Sequence, residues 1–392
     1  MISFPEAFDH VLRHAPLTGV ESCGIDDAAG RVLRQDIVAD RPFPPYDRVM
    51  MDGFALRIRD LASGHRFRIL GTAPAGRPRA VLGEAAGSCI EIMTGAPLPR
   101  GADCIVPVEW TEIRENGDIM IKPACSPRAG EFIHLAGSDA AAGEVLVTAG
   151  TRIGSREIGV AASCGLASLR VAETPSIAIV PTGDELIGAH EVPEPHQIRQ
   201  SNGHAIRAAL KRAGYPSDLF PPMGDDATAE EVMAILAGRP WVVFTGAVSM
   251  GSRDFLPRVL AEIGAMRVFH GVAQRPGKPA GFWVGPQGQA IMALPGNPVS
   301  ALTGLHAFVL PALARSMGEK APPQRRVLPA AVITGLPRMT WHLPVTLDEN
   351  GLAHASPTGN SGDFIGLLRS DGFLTLPPGG DHQGPLPFTP WR

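Results

Sequence analysis

Short apolar runs alternate with segments of helical periodicity over residues 171–318. The runs are rich in Val, Ile, Met and Phe, and they include IAIVPT, WVVFTG and IMALPG. Segments such as GHAIRAALKRAG and FLPRVLAEIGA have apolar residues at the spacing of an amphipathic helix. This alternation predicts a doubly wound, mostly parallel sheet, in which ligands bind at the carboxyl ends of the strands.

The flanking segments have other patterns. Residues 43–139 hold evenly spaced short runs broken by Gly and Pro, which is typical of a small β domain. Residues 1–42 and 140–170 predict helices and an extended stretch, and 319–392 predicts a short linker followed by a C-terminal β domain of barrel or sandwich type. The predicted fold class is therefore multidomain α/β plus β, with the α/β domain at 171–318.

Three strand-to-helix turns in the α/β region are suited to holding an anion. They come at the ends of the runs that reach Pro181, Gly246 and Pro295, and a helix is predicted after each. Such a turn directs unpaired backbone N–H groups and the positive end of a helix dipole at one point. The carboxylates of the first two turns are Asp184, Glu185 and Asp254. Anion-holding amides combined with acidic side chains are typical of a phosphate site with a divalent metal.

Each of these turns alone is also consistent with a plain connection between a strand and a helix. Asp184 and Glu185 are equally consistent with acids that favour the first turn of a helix. Pro298 occupies the position of a first helical residue, which supports a helix start whose amides face a ligand. Three such turns in one predicted sheet favour a shared binding site over three unrelated connections.

Composition limits the classes of function. With 392 residues the chain is too long for one ordinary core, so roughly two to four domains are expected. A formal net charge of −4 and a pI near 6.3 give no support for a nucleic-acid binder. No segment has the roughly 20 apolar residues of a membrane helix, and the N-terminal segment lacks the pattern of a signal peptide. Because the five scattered cysteines indicate reduced thiols, the sequence predicts a soluble cytoplasmic protein.

Further candidate residues lie outside the three turns. Arg275 and Lys278 flank a Pro-Gly turn, and two cations on a rigid loop suit an oxyanion, although a solvated turn has the same composition. Asp52 lies on a predicted tight turn among apolar neighbours, where a carboxylate needs a partner or a function. Thr94 and Asp139 are turn residues by default.

Seven short motifs occur together and in order along the chain. They are MMDGFA (50–55), MTGAPLPRGAD (93–103), GSDAAAGEVLVTAGT (137–151), IVPTGDEL (179–186), the loop before Asp254, RPGKP (275–279) and LPGNPVSA (294–301). The series resembles the molybdopterin molybdenumtransferase family, also known as MoeA or the gephyrin E domain. The resemblance is strong over residues 1–318 and weak over 319–392.

The resemblance implies an activity in molybdenum cofactor biosynthesis. Family members insert molybdate, as a substrate, into adenylylated molybdopterin and release AMP in a Mg²⁺-dependent reaction. The resemblance also implies a homodimer whose active site lies between the sheet domain of one subunit and parts of the other. Segments 1–42 and 140–170 would then form a linking and dimerisation domain. No nucleic-acid or membrane partner is implied.

The resemblance further implies roles for residues at matching positions. Those that hold Mg²⁺ and the pyrophosphate are Asp184, Glu185 and Asp254, with Ser249 and Gly251 beside them. Those that line the nucleotide pocket are Thr182, Gly183, Gly246, Pro295, Gly296 and Asn297. Those that hold molybdate are Arg275, Lys278 and Ser361. Those that complete the cleft from the other subunit are Asp52, Thr94 and Asp139, and the implied catalytic group is these three with Glu185 and Asp254.

Several positions depart from the family pattern. The departures are Ala247 in place of a glycine, Arg275 and Gly271 in place of lysines, and Pro344 and His134 in place of arginines. Several of these changes remove positive charge from the implied molybdate side. They motivate a second hypothesis, a non-catalytic or weakly active molybdopterin-binding paralogue that acts as a carrier or regulator. A third hypothesis, a nucleotide-phosphate hydrolase on the same sheet, has no distinctive residue in its favour.

Overall fold

The computed structural model describes residues 1–246, 248, 255–356 and 358–391. These residues form two compact units, each built from separated parts of the chain. The first unit comprises Met1–Gln35, Ala149–Gly154 and Ser168–Arg392, and the second comprises Asp36–Thr148 and Ser155–Ala167.

A six-stranded mixed sheet forms the centre of the first unit. Its strands, in spatial order, are Ser217–Leu219, Ile177–Pro181, Trp241–Gly246, Ala290–Pro295, Gly281–Val284 and Met266–His270. The first four strands are mutually parallel, and Gly281–Val284 runs antiparallel to both of its neighbours. The predicted mostly parallel sheet is therefore confirmed.

Helices cover both faces of this sheet. On one face, Ile179, Val243 and Met292 pack with residues of the helices Asn202–Arg212 and Pro298–Gly304. On the other face, the intervening strand residues pack with the helices Ala229–Leu236 and Phe255–Glu262. Strands covered on both faces need apolar residues throughout, which is why these segments are unbroken apolar runs in the sequence.

The helix that begins at Pro298 has an irregular middle. It continues through a π turn at Leu305–Val309 into Leu310–Ser316. At its far end, Trp241 Nε1 donates a buried hydrogen bond of 3.1 Å to Ser316 Oγ. Among the described residues, Pro298–Ser316 is the one helix long and apolar enough to span a membrane, and 67% of its most apolar window is buried in the protein. It therefore packs as a core helix.

The N-terminal helix Phe4–Arg13 packs on the same core. Ser3 and Glu6 form a capping box, in which Glu6 Oε2 accepts from Ser3 N at 2.9 Å and Ser3 Oγ accepts from Glu6 N at 3.4 Å. Ala7 and Val11 are fully buried in the core cluster. A helix within residues 1–42, as the sequence predicted, is confirmed.

A second sheet of the first unit joins distant parts of the chain. In spatial order its strands are Ile2–Ser3, Val272–Arg275, Thr340–Leu347, Gly372–Leu376, Leu386–Pro390 and Arg326–Val327, with Ala353–Ala355 paired to Thr340–Leu347. Arg275 pairs in register with Trp341. The β-rich C-terminal segment is thus continuous with the loop that carries the two predicted cations.

The second unit is built on a six-stranded β sheet with a hydrophobic core on each face. Its strands, in spatial order, are Cys104–Pro107, Gly53–Leu56, Ser88–Ile92, Arg66–Ala73, Ile119–Ile121 and Thr111–Ile113. Two short ladders pair Arg48–Val49 with Ile133–His134 and Ile37–Val38 with Val145–Val147. The helix Ser155–Ser163 ends before Gly165, whose φ of 75° is typical of a glycine that follows a helix.

The remaining elements are short. Two-stranded ladders join Val20–Gly24 to Ser168–Ala172, Leu186–Ile187 to Ile198–Arg199, and Ile333–Thr334 to Asp381–His382. The 3₁₀ turns are Ile25–Asp27, Ile58–Ser63 and Val108–Trp110, and a single helical turn spans Phe364–Leu367.

His342 gives the first unit a pH-dependent stability. The side chain is fully buried between the rings of Phe4 and Phe373, with Nδ1 3.1 Å from Thr375 Oγ1, and burial lowers its pKa from 6.5 to about 3. Below pH 6.5 the unfolded chain takes up a proton that the folded histidine does not. The contribution of His342 to the free energy of unfolding is therefore fully present well above pH 6.5. It falls by about 1.4 kcal/mol per pH unit as the pH drops from 6.5 towards 3.

We expect the substitution His342→Phe to remove this contribution. Between pH 7 and pH 5, the variant should lose roughly 2 kcal/mol less unfolding free energy than the unsubstituted protein. Urea unfolding at the two pH values measures the difference, which is independent of any loss common to both. An equal pH-dependent loss in both proteins would show that His342 is not the titrating group.

Candidate functional site

Three loops meet at the carboxyl ends of the central parallel strands. Thr245 O accepts from Thr182 N at 2.8 Å, and Thr245 Oγ1 donates to Pro295 O at 3.3 Å. Gly246 has a φ of 128°, and a Cβ on it would lie 2.1 Å from Thr182 O. A Cβ on Gly296 would lie 3.5 Å from Gly246 Cα. The loops after the three strands are therefore in direct contact, and glycine permits the approach.

A cavity of about 410 Å³ opens above these loops, and we call it the loop cavity. The predicted residues that line it are Thr182, Glu185, Gly246, Pro295, Gly296 and Asn297. Two helix N-termini border it, at Asn202 and Pro298. Asn202 Nδ2 donates to Gly296 O at 2.7 Å and to Thr245 Oγ1 at 3.2 Å. Helix N-termini at the strand ends give the loop cavity the partial positive charge that favours an anion.

The predicted helix directly after Pro181 is wrong. Instead, Leu186–Ile187 pairs with Ile198–Arg199, and a helix begins only at Asn202. The backbone O of Glu185 accepts from Ile198 N at 2.8 Å, so this backbone is engaged in the ladder and cannot begin a helix. Asp184 and Glu185 are therefore not first-turn helix acids, and the second N-terminus at the cavity comes from the later helix.

A second cavity of about 470 Å³ adjoins the loop cavity, and we call it the cationic cavity. The two cavities share Pro279, Pro295 and Asn297 as lining residues. The predicted molybdate residues Arg275, Lys278 and Ser361 all line the cationic cavity. They come from different elements of the first unit, so the structure brings together residues that the sequence separates.

Asn297 connects the two cavities to the C-terminal segment. Its Nδ2 donates to Ser361 Oγ at 2.8 Å, and Val299 N donates to Ser361 O at 3.1 Å. These bonds hold Ser361 against the start of the helix at Pro298. Among the described residues that line the cationic cavity, Arg275 and Lys278 provide the permanent positive charge. Pro344 also lines it, at the position where the family resemblance implies an arginine.

Acidic side chains gather beside the loop cavity. A Cβ on Gly224 would lie 2.9 Å from Asp226 Oδ1 and 3.0 Å from Asp184 Oδ1, so two carboxylates converge over this glycine. Asp184 Oδ1 also accepts from Asp225 N at 3.0 Å. Glu185 lines the cavity itself, and its carboxylate folds back over Gly183. Of these two acids, Glu185 lines the loop cavity and Asp184 lies beside it.

The predicted acids Asp52 and Asp139 lie in the second unit. Asp52 Oδ1 accepts from Thr94 N at 2.6 Å and from Thr94 Oγ1 at 2.8 Å, and these hydrogen bonds lower the pKa of Asp52. Asp139 Oδ1 lies 2.8 Å from His134 Nε2. Both hydrogen-bonded pairs lie on segments next to Arg48–Val49. Val49 O accepts from Gly95 N, and Arg48 pairs in register with His134.

Four positions discussed from the sequence lie outside the described residues. They are Ala247, Ser249, Gly251 and Asp254.

Sequence reasoning missed several residues of the loop cavity. Asn202 could have been predicted from the sequence, because Ser201 and Asn202 precede the helical segment in the manner of an N-cap. Asp226 follows a strand of the same sheet, as do the predicted acids, and the paired aspartates at 225–226 were a visible signal. Arg199 and Gln200 line the cavity only because the short ladder brings them there, and the local sequence carries no sign of that.

Comparison with known proteins supports the family resemblance over the whole chain. The MoeA N-terminal region (domain I and II) matches residues 2–165, and a probable molybdopterin binding domain matches residues 178–315. A molybdopterin molybdenumtransferase from Synechocystis sp. is 36% identical over 409 residues, covering 100% of both chains. Another from Synechococcus elongatus is 32% identical and covers 92% of this chain and 91% of its own.

Solved structures agree with the sequence matches. A structure of the molybdopterin biosynthesis MoeA protein from Pyrococcus horikoshii is 27% identical, with a TM-score of 0.81. It covers 100% of this chain, and 99% of its own length is matched. The resemblance that the seven motifs indicated is confirmed, and the chain belongs to the MoeA family of molybdopterin molybdenumtransferases.

Proposed function

We propose that this chain inserts molybdate into adenylylated molybdopterin and releases AMP in a Mg²⁺-dependent reaction. The observation that carries the proposal is that the two cavities adjoin and share Pro279, Pro295 and Asn297 as lining residues. One cavity suits a phosphate ester and the other suits a free oxyanion, so a single substrate can place its reacting phosphate next to molybdate.

The loop cavity is proposed to hold the nucleotide and its pyrophosphate. The helix starts at Asn202 and Pro298 direct backbone N–H groups at this space. Gly246 and Gly296 leave room for the backbone to approach a phosphate, because neither carries a side chain. We assign the remaining nucleotide contacts to Thr182, Gly183, Pro295 and Asn297, together with Ser249 and Gly251.

The cationic cavity is proposed to hold molybdate. Molybdate is a tetrahedral dianion, and Arg275 and Lys278 provide two positive charges on one loop. The guanidinium of Arg275 presents a fork of N–H donors, whereas the ammonium of Lys278 acts as a point charge. Ser361 adds a hydroxyl that is already oriented by Asn297. Together these groups neutralise the anion and set its distance from the loop cavity.

The residues beside the loop cavity fit a Mg²⁺ ion. Mg²⁺ in phosphate-transfer sites is held by one or two carboxylates and substrate phosphates, and it keeps several waters. The described residues contain no preformed group of three His, Cys, Asp or Glu ligands. They do bring Asp184 and Asp226 together over Gly224, and Glu185 follows Asp184 in the chain. We assign the metal to Asp184, Glu185 and Asp254, with Asp226 as a neighbouring carboxylate; when bound, the ion would neutralise charge on the pyrophosphate.

Positioning and charge neutralisation account for the reaction that we propose. The loop cavity fixes the phosphate ester, the cationic cavity fixes the attacking oxyanion, and their shared wall holds the two in contact. Arg275 and Lys278 are in place before the reaction, so no reorganisation is needed as negative charge moves. We place Asp52, Thr94 and Asp139 at the same active site, contributed by a second subunit of a homodimer, with segments 1–42 and 140–170 in linking and dimerisation. A cytoplasmic location is part of this proposal.

The proposal is tested by AMP release from adenylylated molybdopterin. AMP should appear only when molybdate and Mg²⁺ are both present, and omission of either should abolish it. Sulfate at equal concentration serves as the control oxyanion. If saturating substrate, molybdate and Mg²⁺ yield no AMP, the proposed activity is rejected.

A molybdopterin-binding protein without turnover is the second candidate. The presence of Pro344 in the cationic cavity favours it, since this position adds no charge to the oxyanion site. That candidate predicts tight binding of adenylylated molybdopterin without AMP release. It also predicts that the chain does not restore nitrate reductase activity in a strain that lacks its own molybdenumtransferase.

A further inference from the structure

A chain of three polar side chains crosses the surface of the second unit. Arg48 Nη2 lies 3.2 Å from His134 Nδ1, and His134 Nε2 lies 2.8 Å from Asp139 Oδ1. A guanidinium can only donate hydrogen bonds, so Nδ1 of His134 must accept and carries no proton. The proton of the neutral ring is then on Nε2, where it is donated to the carboxylate of Asp139. The two contacts together assign the tautomer of His134.

The backbone holds these three residues in place. Arg48 and His134 are directly paired on antiparallel strands. The turn that leads from His134 to Asp139 is tied to the segment before Arg48 at several points. These bonds are Ala136 N to Asp47 Oδ1 at 3.0 Å, Gly137 N to Pro44 O at 2.9 Å, and Asp139 N to Phe43 O at 2.9 Å. The distance from Arg48 to Asp139 is therefore set by the fold, and one imidazole ring spans it.

Asp139 remains available to a ligand. Its side chain is 56% exposed, and the imidazole contacts only its Oδ1. His134 is more enclosed, with 26% of its side chain exposed, because it lies between its two partners. A carboxylate that contacts a substrate is expected to be exposed and to be held in one orientation by a hydrogen bond from a neighbouring side chain.

We propose that Arg48 and His134 are positioning residues that direct the carboxylate of Asp139 at a hydrogen-bond donor of the substrate. Arg48 fixes the tautomer of His134, and His134 Nε2 fixes the rotation of the Asp139 carboxylate. The relay moves no proton. This inference rests on the proposed function, since Asp139 is there assigned to the active site.

Substitutions at His134 test the relay through kinetics. His134→Ala should lower kcat/KM for adenylylated molybdopterin about tenfold, with the change mostly in KM. His134→Gln should restore most of that loss, because an amide can accept from Arg48 and donate to Asp139 at once. His354→Ala is the matched control: it removes a similar exposed contact, of 2.9 Å to Asp348, and should leave kinetics unchanged. If His134→Ala behaves like the control, or if His134→Gln is no better than His134→Ala, the relay is wrong.

Nitrogen-15 NMR of the histidine rings tests the relay without any activity. The chain has twelve histidines, and the spectrum of the His134→Gln variant identifies the signals of His134 by their loss. At pH 7.5 Nδ1 should be unprotonated and Nε2 protonated, and Arg48→Met should reduce that preference. A protonated Nδ1 in the unsubstituted protein would overturn the assignment. If the unsubstituted protein releases no AMP, the proposed function fails, and the NMR result still decides the tautomer on its own.

Discussion

Replacing both Arg275 and Lys278 with methionine is expected to weaken the use of molybdate about a hundredfold. Both side chains line the cationic cavity, and Pro344 provides no charge that could replace theirs. Each hydrogen bond to a charged group contributes about 1.5–3 kcal/mol, so two losses correspond to roughly two or more orders of magnitude in binding. The loop cavity does not include either side chain among its lining residues, so binding of the nucleotide part should change little.

The measurement is AMP release as a function of molybdate concentration, with adenylylated molybdopterin held at saturation. Arg267→Met removes an exposed cation that lines neither cavity, and it serves as the charge-matched control. Single substitutions show whether the planar guanidinium of Arg275 or the ammonium of Lys278 contributes more. An unchanged molybdate dependence in the double variant would remove the cationic cavity from the mechanism.

The substitution Gly246→Ala is expected to destabilise the first unit by about 3 kcal/mol or more. Two effects add at this position. A φ of 128° is strained for any residue with a side chain, and the new Cβ would lie 2.1 Å from Thr182 O and 2.5 Å from Thr182 Oγ1. The obstructing O atom belongs to the backbone of Thr182, which is held by the hydrogen bond from Thr182 N to Thr245 O, so it cannot move aside without straining that bond.

Gly238→Ala separates the two effects. Gly238 also has a positive φ, of 71°, but a Cβ there would meet no atom within 4 Å. We expect this control to cost about 1 kcal/mol from backbone strain alone. Chemical unfolding of both variants gives the comparison. Similar losses in the two would mean that the close contact between the loops contributes nothing.

The central sheet could largely be predicted, because buried parallel strands appear in the sequence as unbroken apolar runs. All residues of Ile177–Pro181 and Ala290–Pro295 are buried, and both segments are unbroken apolar runs. The helix start at Pro298 was equally predictable, because proline is favoured in the first turn of a helix.

The helix predicted after Pro181 failed for a tertiary reason. The segment after it has acids where a helix start would have them, so local propensity favoured a helix. The backbone instead pairs with Ile198–Arg199, a partner that local sequence does not reveal. Long-range pairing of this kind overrides local preference.

The charged residues of the candidate site could be predicted from the sequence, but their spatial grouping could not. Arg275 and Lys278 were evident as two cations on a rigid loop. Their proximity to Ser361 depends on the second sheet, which joins Val272–Arg275 to the C-terminal strands. The contact of Asn297 with Ser361 likewise spans 64 positions of sequence. No local pattern encodes such a contact, and only the family resemblance anticipated the grouping.

The π turn within the helix Pro298–Ser316 has a consequence for how the protein tolerates change in length. The strand Trp241–Gly246 and this helix are fastened together at both ends, by the contact of Gly246 with Gly296 and by the bond from Trp241 to Ser316. Leu305–Val309 lies between these fixed points, and a π turn accommodates one residue more than regular α geometry. A one-residue change in length at this turn would therefore leave the loop cavity at one end and the Trp241–Ser316 hydrogen bond at the other in their present alignment.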